Sequence, residues 1–176
     1  MTNLSKEELH ELIIKNPEEY YSIKDKDEEI DLSELDFSGM VFDKIDFSNA
    51  DLVGASFAES TLVGVNFTNC DLTSCDFTRA TCEECTFAES LLNGTDFSYS
   101  TLSYCDFSDT DMAGSIFQGA DTTNSDFSLA ENLNACRFDE ETIWPDNENL
   151  PDNFDSGYVA DLAQIDDEYG IANNDY

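Results

Sequence analysis

The chain is short of positive charge. Its 176 residues hold 7 Lys and Arg against 40 Asp and Glu, a net of −33 with the one histidine neutral. A surface of that sign repels nucleic acid and anionic membrane, so direct binding to either is excluded and partners are expected to be basic. Long apolar runs are missing as well, and nothing approaches the ~20 residues of a transmembrane helix. Residues 1–15 show no basic leader followed by an apolar core, so no secretory signal is expected and the reading is cytoplasmic. His10 is the only histidine. It falls on the exposed part of a short expected helix, without a role, and leaves no His-x-x-x-His pair. GxSxG, GxGxxG and Walker-type glycine loops are lacking, and no carboxylate pair stands out as acid and base. Asp106, Asp109 and Asp111 lack the glycine and terminal glutamate of a calcium loop. Neither catalysis nor a cofactor is expected.

High charge with modest hydrophobicity commonly means disorder. Here the 13 Phe argue otherwise, because a strict rule places eleven of them. From Leu32 to Phe127 every fifth residue is Phe, Leu or Met, except Cys82 and Thr122. Neither helix nor plain strand has a period of five. Taking every fourth of these centres exposes a 20-residue superperiod. Leu32, Leu52, Leu72, Leu92 and Met112 form a first set, and Phe37, Phe57, Phe77, Phe97 and Phe117 a second. Phe42, Leu62, Cys82, Leu102 and Thr122 form a mixed third, and Phe47, Phe67, Phe87, Phe107 and Phe127 a fourth. Two residues before each centre, from Ala50 onward, stands a small or narrow residue. The residue between is often Asp, as in Ala50-Asp51-Leu52 and Cys70-Asp71-Leu72.

This pattern resembles the pentapeptide-repeat family, whose signature is A(D/N)Lxx, over residues 30 to about 145. The resemblance implies an all-β solenoid, a right-handed quadrilateral β-helix with one pentapeptide per side and short helical caps at both ends. After Phe127 the register slips by one, and Leu133, Phe138 and Ile143 continue the centres. Cys70, Cys75, Cys85, Cys105 and Cys136 then take the small inward column and Cys82 a centre, as free cysteines that behave like small apolar residues. A metal cluster of Cys70, Cys75, Cys82 and Cys85 is the weaker reading, since only Cys82-x-x-Cys85 has the tight spacing of a closed site.

Solenoid ends need caps. Ser5-Lys6-Glu7-Glu8 fits a capping box, Leu9, Leu12 and Ile13 give an apolar face, and Pro17 ends the helix. Residues 1–29 are thus an N-terminal cap, 30–145 the β-helix, and 146–176 an acidic C-terminal extension that opens on a polar loop. Tyr158, Val159, Leu162, Ile165 and Tyr169 share one helical face. That face serves either as a cap or, as in some family members, as a contact for a homodimer.

The family includes DNA mimics that bind type II topoisomerases, so charge density is informative. Residues 30–129 hold eighteen acids and two bases, Lys44 and Arg79, a net of −16. With coils about 4.8 Å apart, five coils carry about one negative charge per 1.5 Å, against ~1.7 Å for duplex DNA. Residues 130–176 add thirteen acids and one Arg. The expectation is a non-enzymatic DNA mimic that blocks or protects the DNA-binding groove of a basic bacterial enzyme, either gyrase or another topoisomerase or a restriction or defence nuclease. The expected binding acids are Asp51, Glu59, Asp71, Asp76, Glu83, Glu84, Glu89, Asp96, Asp106, Asp109, Asp111 and Asp121. Residues 30–129 contain no insertion, and so lack the projecting loops of the quinolone-resistance members, which favours targets other than topoisomerase. The alternative is a protein-interaction scaffold using outward Val41, Val53, Val63, Leu91, Tyr99, Tyr104 and Ile116.

Overall fold

The five-residue period becomes a square coil. In the computed structural model, which describes residues 4–17, 19–20 and 30–155, the chain winds as a right-handed quadrilateral β-helix. Its parallel pairs stand 20 residues apart, as in Asp36–Ser56, Asp76–Asp96 and Asp106–Asp126. Each centre donates its N–H forward to the next coil, and the residue before it donates backward. Phe57 N–Asp76 O (2.7 Å) and Asp76 N–Ala55 O (3.0 Å) show the alternation. Backbone pairing is therefore completed by neighbouring coils.

The two Phe columns fill the interior. Phe57 stacks on Phe77 at 4.9 Å and Phe87 on Phe107 at 4.8 Å, while Phe57–Phe67 and Phe77–Phe87 meet edge-on across the core. Both arrangements suit the ring quadrupole. The small inward column has its own task. Ser90 Oγ donates to Phe67 O, Thr95 Oγ1 to Leu72 O, and the thiols of Cys70 and Cys75 to Phe47 O and Leu52 O. Each reaches the carbonyl of a centre one coil back. A cysteine here is a small residue with a weak donor, which is why Ser, Thr, Cys and Ala exchange in this column. All six thiols are free and buried. Burial pushes the thiols of Cys75 and Cys136 up, so they are unreactive.

The sides are not equal. On the first, second and fourth sides the centre's carbonyl accepts from the N–H three residues on, as in Ala55–Leu52 (2.9 Å), Ala80–Phe77 (3.0 Å) and Cys70–Phe67 (3.2 Å). The residue two past the centre is left-handed on all four sides, and on these three it closes a type II turn. The third side lacks that bond and stays extended through its centre. Strands Val41–Asp43 (β2), Thr61–Val63 (β4), Thr81–Glu83 (β5) and Thr101–Ser103 (β6) form a four-stranded parallel sheet, while Ile30–Asp31 (β1) pairs with Ala50–Asp51 (β3) on the first side. Val41, Thr61, Thr81 and Thr101 stand where the repeat usually has Asp, and β-branched residues favour strand. At Asp121 the third side reverts to the bonded turn, with Ser125 N–Thr122 O at 3.1 Å and Thr123 N on Asp121 Oδ1 at 3.0 Å.

Helix α1 (Lys6–Lys15) closes the first coil. Its capping box joins Ser5 and Glu8 as the sequence predicts, and Ile13 is buried. The first coil has no coil before it to use its carbonyls. His10 Nε2 donates to Asp36 O (2.8 Å) and its ring stands edge-on to Phe37, while Tyr20 Oη donates to Asp46 O (3.2 Å). His10 thus corrects the reading of a histidine without a role. Its partner is an orphan carbonyl created by the end of the solenoid, which no local motif reveals. Lys6 pairs with Asp31 at 2.9 Å, and this bond, with help from Ser33, lowers the Asp31 carboxyl below its usual range.

The last coil corrects a second reading. Ile116 pairs with Arg137, 21 residues on, but Asp121 pairs with Ile143, 22 residues on. A second extra residue sits in the turn where Thr142 N meets Asp139 O. Ile143 therefore points outward, 52% exposed. Trp144 turns in against Phe117, Phe127, Phe138 and Phe154. Pairing continues through Phe127 N–Asn149 O (2.8 Å), and Leu150 is buried.

Candidate partner-binding surface

The Asp column is built into the turns. Oδ1 of Asp51, Asp71, Asp76, Asp96, Asp106, Asp111 and Asp121 accepts the backbone N–H two residues on. Asn66 does the same for Thr68 at 3.0 Å. Such local side-chain bonds fix turns. The chemistry needs only an oxygen, so Asn and Asp are equivalent for the turn and differ only in charge.

The remaining expected acids are Glu59, Glu83, Glu84, Glu89 and Asp109, all exposed. Four of them, Glu59 (φ 59°), Glu84 (φ 54°), Glu89 (φ 61°) and Asp109 (φ 55°), occupy the left-handed corner position. Glycine is the residue this conformation favours, and an L side chain there costs about 1 kcal/mol. Corner glutamates are thus not chosen for the backbone's benefit.

The structure distributes the expected acids over all four sides. Asp51, Asp71 and Asp111 lie on the first, Glu59, Asp76 and Asp96 on the second, Glu83, Glu84 and Asp121 on the third, and Glu89, Asp106 and Asp109 on the fourth. The balance of charge is uneven. The fourth and first sides, which share an edge, hold ten of the eighteen acids of residues 30–129 and no base, counting also Asp31, Glu34, Asp46 and Asp126. The second and third sides hold eight, together with Arg79 and Lys44. Along the fourth–first edge runs an open groove of about 530 Å³ lined by Asn49, Asp51, Asn69, Asp71, Glu89 and Leu91. Reading corner residues of one side with the Asp column of the next, at the 20-residue period, is the signal in the sequence that picks this edge out.

Of the outward apolar residues, Val41 (75%), Tyr104 (62%), Tyr99 (54%) and Leu91 (47%) are exposed, joined by Leu129 (60%). Val53, Val63 and Ile116 are only half-exposed. The proposed dimer residues Tyr158, Val159, Leu162 and Ile165, with Tyr169, lie outside the described residues. Among the described residues no group of three or more His, Cys, Asp or Glu is arranged to hold a metal ion.

A square coil with this repeat defines a class whose members are generally structural or interaction proteins. Residues 60–138 match the family described as a pentapeptide repeat region, and residues 30–69 match pentapeptide repeats in eight copies. The chain belongs to the pentapeptide-repeat family. No curated protein matches it in sequence. Among solved structures it is similar to a pentapeptide-repeat protein of the Arabidopsis thaliana thylakoid lumen, at 29% identity over 57% of this chain and 66% of that one, with a TM-score of 0.42. It is also similar to Rfr23 of the cyanobacterium Cyanothece, at 15% identity over 65% and 90% of the two chains, with a TM-score of 0.44. QnrB1, a plasmid-mediated fluoroquinolone resistance protein, matches at 19% identity over 66% and 87%, with a TM-score of 0.31.

Proposed function

We propose that the protein is a cytoplasmic DNA mimic. It docks its fourth–first edge in the DNA-binding groove of a basic bacterial DNA-processing enzyme, without turnover of its own. The observation that carries this reading is the linear charge: a net of −16 over five coils, about one charge per 1.5 Å, beside ~1.7 Å for duplex DNA. The repeat itself supplies Asp beside many centres. The excess lies in exposed Asp43, Glu83 and the corner carboxylates, which the turns do not call for. Gyrase and a restriction nuclease are the two target classes. The test is displacement of labelled duplex DNA from each purified enzyme across a salt series. Displacement that weakens steeply with salt is expected, since each carboxylate meets a Lys or Arg. A salt-independent affinity with no displacement from either enzyme removes the reading.

The exposure of Val41, Tyr104 and Leu91 favours a second reading, a scaffold that binds a partner through apolar contacts. Under it Leu91→Ser abolishes binding, and charge changes do little.

A further inference from the structure

The corners carry an internal template for arginine recognition. At the corner between the second and third sides, Arg79 stands one coil before Tyr99, and its guanidinium carbon lies 5.3 Å from the ring centroid. Both are left-handed, with φ of 58° and 60°. Tyr99 is seated over Gly119, the corner residue of the following coil. A Cβ there would come within 2.7 Å of the ring.

At the corner between the third and fourth sides the same two places hold Glu84 and Tyr104, with φ of 54° and 56°. The left-handed φ and the 20-residue offset are shared, so Glu84 lies one coil before Tyr104 in the same column, as Arg79 does before Tyr99. Two residues differ, and both open the site. The guanidinium of Arg79 is replaced by the carboxylate of Glu84. The glycine seat is replaced by Asn124, left-handed at φ 63°, whose Cβ fills the space a ring lying like that of Tyr99 needs. Tyr104 is the more exposed ring, at 62% against 54% for Tyr99. Neither side chain makes a hydrogen bond or ion pair among the described residues. Glu83 adds a second exposed carboxylate beside them, and the acidic fourth side begins just beyond.

We propose that Tyr104 and Glu84 form a receiving site for an arginine side chain of the partner. The proposal rests on the reading that the partner is basic, and adds which cation it presents and where. A guanidinium stacks on the ring as Arg79 does on Tyr99, while its N–H groups pair with Glu84. Lysine fits less well, because its compact ammonium is strongly hydrated and cannot lie flat on a ring.

The test is an NMR titration of the full chain with N-acetylarginine amide and, separately, N-acetyllysine amide at low ionic strength. The arginine derivative is expected to give saturable shifts of the Tyr104 ring signals, with binding about two- to fivefold tighter than the lysine derivative. Tyr104→Leu should remove the preference, and Glu84→Gln should weaken binding by about the same factor. Arg79→Glu with Gly119→Asn should copy the site onto the neighbouring corner and add shifts at Tyr99. Equal binding of the two derivatives, or an arginine preference that survives Tyr104→Leu, overturns the proposal. The probe involves no enzyme, so this result and the DNA-displacement result stand or fall separately.

Discussion

The fourth–first edge and the third side are made from one repeat, yet they present different chemistry. On the edge, Asp or Asn beside most centres accepts the N–H two residues on, which fixes a tight turn and leaves the second carboxylate oxygen of Asp51, Asp71 and Asp106 for a partner. On the third side, Val41, Thr61, Thr81 and Thr101 take that place, and the chain stays extended in a four-stranded sheet. One position in five, read down its column, therefore sets both local conformation and surface charge. A column of like residues enforces the choice, because Ile116, alone among acids and Ser on the second side, keeps the bonded turn (Ala120 N–Phe117 O, 3.0 Å).

The largest expected effect breaks both regions together. Phe87 is fully buried under the edge and stacks on Phe67 and Phe107. Phe87→Ala should cost about 3–5 kcal/mol, read by urea denaturation. Cys82→Ala, at the equivalent centre of the third side, removes one atom and should cost roughly 1 kcal/mol. Similar losses at the two would mean that the Phe column is not the main support of the interior.

The next separates charge from fold. Asn66 shows that an amide oxygen holds the turn, so Asp51→Asn, Asp71→Asn and Asp111→Asn together should not lower thermal stability. If the edge meets a basic groove, displacement of duplex DNA should weaken by about tenfold or more, at roughly 0.5–1 kcal/mol for each rim charge. Thr61→Asn, Thr81→Asn and Thr101→Asn on the third side should leave displacement unchanged. Equal losses from the two triple variants would remove the edge as the docking surface.

How far the sequence carried depends on where each determinant lies. The centres and the inward cysteines were legible because the period is local and unbroken: Cys70, Cys75, Cys82, Cys85, Cys105 and Cys136 are all buried. The first extra residue after Phe127 was legible through Phe138. The second was not, because Ile143 and Trp144 are both apolar and only coil-to-coil pairing selects Trp144. The third side showed in the sequence as a column with irregular centres. Its cause lies in the outward residues Thr61, Thr81 and Thr101, which a search of centres passes over. His10 was misread because its acceptor, Asp36 O, is 26 residues away. The acids were all visible, but their sides follow only from the 20-residue period applied to outward positions.

A smaller effect concerns the corners. Glu89→Gly on the edge and Glu59→Gly on the second side both relieve a left-handed glutamate. Each should hold stability level or raise it by up to about 1 kcal/mol, with the greater flexibility of glycine in the unfolded chain limiting the gain. Only Glu89→Gly should weaken DNA displacement. A matching loss from Glu59→Gly would spread the contact beyond the edge.

The smallest effect is electrostatic. Asp51 stands in register with Asp31 before it and Asp71 after it. Carboxylates about 4.8 Å apart repel by roughly 0.9 kcal/mol per pair in water, less as salt shortens the Debye length. Asp51→Asn keeps the turn and removes both repulsions. It should therefore stabilise the fold by up to about 1 kcal/mol at 10 mM salt, since side chains that splay apart weaken the repulsion, and by little at 1 M. Thr81 has the uncharged neighbours Thr61 and Thr101, so the effect of Thr81→Asn on stability should be the same at both salt concentrations. Urea denaturation of the two variants at the two salt concentrations reads the difference directly. If Asp51→Asn shows no salt-dependent gain, the stacked carboxylates do not strain the edge, and the charge that would meet a partner's groove costs the fold nothing to hold.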